Sequence, residues 1–203
     1  MKKGKPDWWD SAVNHLSQDP SIGKIVTKFK DEHLIGRGDI FQTLVRSIVG
    51  QQISVIAADS IHSKLVTKCG EINRKSISAL TIEELASCGL TRPKCQYIQG
   101  IATSNIPLLP ENYEEMSDSE LISHLTQFKG IGPWTAEMML IFSLMRKDIL
   151  SLGDLGVVKG IQKIAPEAQT KNQLEKVADA WKPYRSAACW FLWRSLDPVP
   201  VEY

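Results

Sequence analysis

Apolar residues recur at helical spacing along most of this chain. Between residues 41 and 49 the spacing is i, i+3, i+4, i+7, i+8, the pattern of a helix with one buried face. Similar patterns predict further helices in the segments 53–65, 83–88, 96–104, 118–128, 134–145, 157–164, 171–181 and 185–195. Alternation of the kind typical of a strand never runs beyond about four residues. The sequence therefore predicts an all-α fold.

The overall charge limits how such a chain can bind its partners. Its 203 residues carry 24 Lys and Arg against 23 Asp and Glu, a formal net charge of +1. This balance argues mildly against a nucleic-acid binder that relies on bulk charge. The 43% of hydrophobic residues is enough for an ordinary interior, which at this length indicates one domain or two lobes that share a core.

Cysteine and histidine spacing indicates neither a disulfide framework nor a metal centre. The four cysteines form no CxxC pair and no clustered set, so we expect no disulfide scaffold and a reduced, intracellular protein. The four histidines show no metal-ligand spacing. No run of about eighteen apolar residues and no signal peptide is present, so we expect no membrane span.

A glycine hairpin between two predicted helices is the most informative motif. The segment 125–136 contains Gly130-Ile-Gly132, a turn that glycine makes cheaply, and Pro133 suits the first position of the following helix. Backbone N–H groups at that helix terminus form an anion site that fits a DNA phosphate without reading sequence. The hairpin therefore indicates DNA-backbone contacts at Lys129, Gly130, Gly132 and Thr135.

A single carboxylate follows the hairpin in a glycine-flanked loop. Asp154 lies in Gly153-Asp-Leu-Gly156 and precedes a predicted helix. One interpretation is that it does chemistry on a bound nucleic acid. The other is that it caps the helix, as Asp commonly does at this position. The two roles do not exclude each other.

These motifs, with three further segments in the same order, resemble the helix-hairpin-helix DNA glycosylase superfamily, in particular its 3-methyladenine DNA glycosylase II branch. The segments are 48–54, 88–94 and 181–186, and the resemblance runs from about Phe41 to Trp193. It implies two helical lobes with a DNA-binding cleft: about 41–145 with the hairpin, and 1–40 with 146–203. The few residues before Phe41 imply the compact form without an N-terminal β domain.

The resemblance also implies a mechanism and a base pocket. Asp154 would be the catalytic carboxylate that stabilises the sugar cation formed as the base departs. Superfamily members that also cut the strand place a lysine where this chain has Trp134, so we expect no lyase activity. Trp134, Met138 and Trp193 would line the base pocket, and core packing is the alternative for both tryptophans. At the position of Met138, the bacterial member of this branch has a tyrosine.

Further DNA-facing roles follow from the same resemblance. Gln52 would be the wedge that fills the gap left by a flipped base. Gln51, Ser54 and Lys159 would contact the DNA backbone, although the two glutamines can also tie down an interhelical turn and Ser54 can cap a helix. Tyr184 and Arg185 would support the Asp154 loop from behind. The main-chain carbonyls of Thr126, Phe128 and Ile131 match those that hold a monovalent cation in family hairpins. Arg92 and Lys94 lie where relatives approach DNA, or in a solvated turn.

Taken together, these features predict a monofunctional glycosylase that removes alkylated purines such as 3-methyladenine from double-stranded DNA and leaves an abasic site. We expect a monomer that requires no cofactor. Some relatives carry a four-cysteine iron–sulfur loop at the C-terminus, and because only Cys189 lies near that end here, we expect no such cluster. Two alternatives stay open: a glycosylase for uracil, hypoxanthine or ethenoadenine, and a non-catalytic DNA-binding module that uses the hairpin as a phosphate clamp.

Overall fold

The computed structural model describes residues 3–197, with Val55 described by its backbone alone. Over these residues the chain forms twelve α-helices and one short 3-10 helix, at Asp179–Trp181. The α-helices are α1 (Trp9–Leu16), α2 (Gly23–Lys28), α3 (Ile40–Gly50), α4 (Val55–Cys69), α5 (Arg74–Ser78), α6 (Ile82–Ser87), α7 (Arg92–Thr103), α8 (Asp118–Leu125), α9 (Pro133–Phe142), α10 (Leu155–Ile164), α11 (Lys171–Ala178) and α12 (Arg185–Leu196). The predicted all-α fold is confirmed.

Three short helices, α1, α2 and α5, are not predicted by the sequence patterns above. They contain 8, 6 and 5 residues, and the last two span less than two helical turns. The predicted helix 134–145 is shorter than expected, since α9 ends at Phe142 and Met145 has a φ of 51°. None of the helices in the described part of the chain is long and apolar enough to cross a bilayer.

The described residues divide into two compact units. We call residues 39–139 the middle unit, and residues 3–38 with 140–197 the two-segment unit. The chain passes between them after Gly38 and again within α9, after Met139. The candidate DNA-contacting hairpin lies in the middle unit, and the candidate catalytic carboxylate lies in the two-segment unit.

In the middle unit, α7 packs against α3, α5 and α6, while α3 also packs against α4. The buried faces follow the predicted periodicity and include Phe41, Leu44, Val45, Ile48, Val49, Cys95, Ile98, Ile101, Leu121 and Leu125. Polar side chains fix where several of these helices begin. Asp39 caps α3 by accepting the N–H of Gln42, and Ser54 caps α4 by accepting the N–H of Ala57.

The two-segment unit is built around α12, which is buried from Ser186 to Trp193. Helices α1, α2 and α10 all pack against it. The ring of Trp9 lies 5.2 Å from that of Trp190 and 5.4 Å from that of Phe191, measured between ring centroids. Helix α10 approaches α12 closely, because a Cβ added at Gly160 would lie 2.8 Å from the Cβ of Leu192. Because the two helices lie this close together, a side chain of α12 can reach the first residues of α10.

Candidate functional site

The predicted hairpin forms between α8 and α9. Gly130 has a φ of +90°, and a Cβ added to it would lie 2.3 Å from the ring of Tyr97, so only glycine fits. The N–H of Ile131 donates to the carbonyl of Phe128 at 3.0 Å, which closes the turn. Both of these side chains are buried, whereas Lys129 and Gly132 are exposed. The hairpin therefore presents its tip and the start of α9 to solvent.

A second exposed loop in the middle unit joins α3 to α4. Gln52 is exposed in this loop and has a φ of 59°, a left-handed conformation that costs a non-glycine residue roughly 1–2 kcal/mol. Two exposed apolar residues follow it, Ile53 and Ile56, the latter 83% exposed. A strained polar residue beside exposed aliphatic side chains suits a surface that meets a partner. Its role as a DNA wedge stays a prediction.

The Gln51 side chain connects this loop to the hairpin. Its Nε2 donates to the carbonyl oxygen of Gly130 at 3.0 Å and to Oγ1 of Thr135 at 3.2 Å. Thr135 is only 2% exposed, so its hydroxyl faces Gln51 and not solvent. Thus the interpretation that the glutamines tie down a turn holds for Gln51. DNA contacts by Gln51, Ser54 and Thr135 stay predictions.

In the two-segment unit, Asp154 is a buried carboxylate at a helix N-terminus. It is 8% exposed and caps α10, since its Oδ1 accepts the N–H of Val157 at 3.0 Å. The same oxygen accepts the indole N–H of Trp193 at 2.8 Å. A buried carboxylate is costly without such donors, and hydrogen bonds to an ionised acceptor are roughly twice as strong as neutral ones. These two donors fix the direction in which the carboxylate points.

Gly156 makes this arrangement sterically feasible. A Cβ added to it would lie 2.9 Å from Cδ1 of Trp193 and 3.0 Å from Oδ1 of Asp154. Any larger residue would therefore push the indole away from the carboxylate. Nothing in the local sequence reveals this contact, because Trp193 is 39 positions from Asp154 along the chain. The signal that was available is the spacing of Gly156 and Gly160, one helical turn apart on α10.

The three candidate base-pocket residues differ in exposure. Trp134 is half-buried near the start of α9, whereas Met138 is 0% exposed and Trp193 is 3% exposed. Trp193 also stacks on Phe142, with 5.9 Å between ring centroids. Of the three, only Trp134 has appreciable surface for a ligand in this structure. The pocket assignments of all three stay predictions.

Tyr184 and Arg185 contact the segment that leads into the Asp154 loop. Arg185 forms a two-point ion pair with Asp148, with Nε to Oδ1 at 2.7 Å and Nη2 to Oδ2 at 2.8 Å, and hydrogen bonds to that carboxylate raise the pKa of Arg185. Next to it, Ser186 accepts the N–H of Ile149 at 2.9 Å. The ring of Tyr184 lies under the ammonium of Lys147 at 5.9 Å. These contacts reach residues 147–149. Support of the Asp154 loop by Tyr184 and Arg185 therefore stays a prediction.

The remaining candidates are basic or main-chain groups. Lys129 and Lys159 are exposed, and so are positioned to meet solvent or a partner. The carbonyls of Thr126, Phe128 and Ile131 all come from the hairpin turn, and that of Phe128 already accepts one hydrogen bond. No group of three His, Cys, Asp or Glu side chains in residues 3–197 is arranged to hold a metal ion.

Comparisons with known proteins agree on one family. Residues 45–185 match the model of the HhH-GPD superfamily base excision DNA repair proteins. DNA-3-methyladenine glycosylase 1 of Schizosaccharomyces pombe is 33% identical over 180 residues, 85% of this chain and 79% of the relative. A DNA-3-methyladenine glycosylase of Bacillus subtilis is 30% identical over 194 residues, 88% of this chain and 64% of that protein.

Two solved structures support the same assignment. The 3-methyladenine DNA glycosylase of Schizosaccharomyces pombe in complex with abasic DNA matches with a TM-score of 0.79 and 31% identity, over 91% of this chain and 96% of that one. A DNA-3-methyladenine glycosidase of Bacillus halodurans matches with a TM-score of 0.75 and 29% identity.

Proposed function

The chain belongs to the HhH-GPD superfamily of base excision DNA repair proteins, and we propose that it is a DNA glycosylase that removes alkylated purines of the 3-methyladenine and 7-methylguanine type from double-stranded DNA. The observation that carries this proposal is the match, over almost the whole chain, to a 3-methyladenine DNA glycosylase bound to abasic DNA. Abasic DNA is what such an enzyme leaves after hydrolysing the bond between base and sugar.

Asp154 is the proposed catalytic carboxylate. As the bond from C1′ to the base nitrogen breaks, its electron pair leaves with the base, and positive charge develops on the sugar. A carboxylate held in a fixed direction in a water-poor site stabilises that charge by several kcal/mol. The N–H groups of Val157 and Trp193 support this role, because they hold Oδ1 before the reaction begins. Water then forms the new bond to C1′ and releases a proton.

An alkylated purine needs little help to leave. Its base already carries positive charge and departs neutral, so no second acid has to protonate it. Such a base is attracted to an indole face by roughly 0.5–2 kcal/mol. We assign this contact to Trp134, the one predicted pocket aromatic with appreciable exposed surface.

We further propose that the enzyme is monofunctional. Cleavage of the strand by this superfamily needs an amine that attacks C1′ and forms a Schiff base. This chain has Trp134 where strand-cleaving members place that lysine, and an indole cannot serve as the nucleophile.

The DNA backbone is anchored by the hairpin in this proposal. The N–H groups at the start of α9 and the ammonium of Lys129 bind a phosphate near the lesion, and Lys159 binds another. Gln52 enters the base stack as the damaged nucleotide leaves it. A K⁺ or Na⁺ ion held by the carbonyls of Thr126, Phe128 and Ile131 would add positive charge at the phosphate.

The experiment that tests this function is base release from duplexes that each contain one lesion. The panel contains 3-methyladenine, 7-methylguanine, hypoxanthine, ethenoadenine and uracil. We expect release of the two methylated purines, with no strand break until alkali is added. Release of uracil or hypoxanthine, without release of either methylated purine, would show that the enzyme acts on a different class of base. Binding of every duplex without any release would indicate a DNA-binding module.

A further inference from the structure

The segment 88–94 was singled out by its sequence, yet the mechanism above assigns it no task. The structure places its last residue, Lys94, in the first turn of α7 and half-buried in the middle unit. Its Nζ donates to the main-chain carbonyl of Val49 at 2.8 Å and to that of Gln51 at 2.7 Å. Burial lowers the pKa of this ammonium. Lys94 is therefore engaged with the end of α3 and does not lie in a solvated turn.

These carbonyls belong to the C-terminal end of α3, where the last carbonyl groups of a helix lack partners within it. A cation is favoured at that end, and a lysine ammonium has three donors, enough to bind both carbonyls. A methionine or leucine at position 94 would leave both groups half-buried without that partner.

Gln51 holds the same loop from its other side. Its main-chain oxygen accepts from Lys94, while its side-chain amide donates to Gly130 and Thr135 of the hairpin. The next residue is Gln52, which is exposed and left-handed. A backbone conformation that is unfavourable for a non-glycine residue persists only where the surrounding structure holds that residue in place. The residue that supplies this hold here is Gln51, bound at both its main chain and its side chain.

We propose that Lys94 is a positioning residue for base flipping: by binding the carbonyls of Val49 and Gln51, it holds Gln52 ready to enter the DNA stack, in a loop that the Gln51 side chain ties to the hairpin. The inference rests on the proposed function, in which Gln52 is the wedge and the hairpin binds phosphate. Its consequence is that wedge and phosphate anchor move as one body within the middle unit. Binding energy gained at the phosphate can then be used to insert Gln52.

The test uses the full chain and a duplex that contains a tetrahydrofuran abasic analogue opposite 2-aminopurine. Insertion of the wedge unstacks the 2-aminopurine and raises its fluorescence. We expect Lys94→Met to reduce this rise by about fivefold or more, and to slow single-turnover release of 3-methyladenine by about tenfold. The affinity for undamaged duplex should change by less than about twofold, because the hairpin is intact.

Two matched variants separate positioning from stability. Lys64→Met makes the same chemical change at an exposed position of α4 and should behave as the wild type. Lys94→Arg keeps charge and donors and should restore at least about half of the fluorescence rise. If Lys94→Met does not fold, Lys94→Gln decides the matter, because it keeps a polar side chain but removes the ammonium that binds the carbonyls of Val49 and Gln51, and it should give the same loss.

Each outcome decides a different claim. The fluorescence assay needs no catalysis, so an inactive wild type whose rise is intact but is lost in Lys94→Met would contradict the proposed function and support the positioning role. Loss of the rise in Gln52→Ala would support Gln52 as the wedge. A full rise in folded Lys94→Met, or in folded Lys94→Gln, would overturn the proposal, and so would equal losses in Lys64→Met and Lys94→Met.

Discussion

At the scale of single residues, the direction of one carboxylate is the feature on which the proposed chemistry depends. Asp154 receives two hydrogen bonds on one oxygen, from its own helix and from the indole of Trp193. Such orientation matters because a misplacement of about 1 Å can cost about a hundredfold in rate. We therefore expect Trp193 to orient Asp154, a role that is separate from its proposed place in a base pocket.

Replacing Trp193 by Phe tests which of these roles dominates. The variant keeps an aromatic ring but removes the N–H, so we expect single-turnover base release to slow by about tenfold, with little change in affinity for damaged DNA. Single-turnover rates and equilibrium titrations measure the two effects. A rate equal to the wild type with weakened binding would show that Trp193 acts on the base instead.

Gly156 allows the indole to reach Asp154. We expect Gly156→Ala to destabilise the fold by about 1–3 kcal/mol, because the added methyl group meets Trp193 at 2.9 Å. Gly100→Ala is the matched control, since it lies inside α7 with nothing within 4 Å and should be stabilising by up to ~1 kcal/mol. Thermal or urea unfolding gives both values. Equal effects would contradict the packing argument.

At the scale of elements, the parts predicted from sequence are those whose cause is local. The glycines of the hairpin and the caps of α4 and α10 can be predicted because turns and caps depend on a few neighbouring residues. The hydrogen bond from Trp193 to Asp154 and those from Lys94 to Val49 and Gln51 span 39 or more positions. Only the packing of whole helices determines such contacts, and periodicity carries no information on them.

The hairpin gives a prediction of its own. If Lys129 binds a phosphate, Lys129→Ala should weaken binding about equally on every DNA sequence and reduce the slope of log K against log salt by about one. The measurement is DNA affinity at several salt concentrations. A change confined to one DNA sequence, or an unchanged slope, would show that Lys129 does not contact the backbone.

At the scale of the whole molecule, the all-α fold follows from periodicity, and the family is shown by matches along most of the chain. A net charge of +1 fits an enzyme that holds DNA at a few points. The division into two units at 38/39 and 139/140 has no counterpart in local composition, since the second boundary falls inside α9. Sequence alone therefore leaves that boundary undetermined.

The central claim is that Asp154 carries out the chemistry as well as capping α10. The most direct measurement compares single-turnover release of 3-methyladenine by wild type, Asp154→Asn and Asp39→Asn. Asparagine is also a good cap, and Asp39 caps α3 with its side chain as Asp154 caps α10, so the two changes are matched in their effect on a helix cap. We predict a loss of about a hundredfold or more for Asp154→Asn alone. Release at the wild-type rate by folded Asp154→Asn would contradict this account.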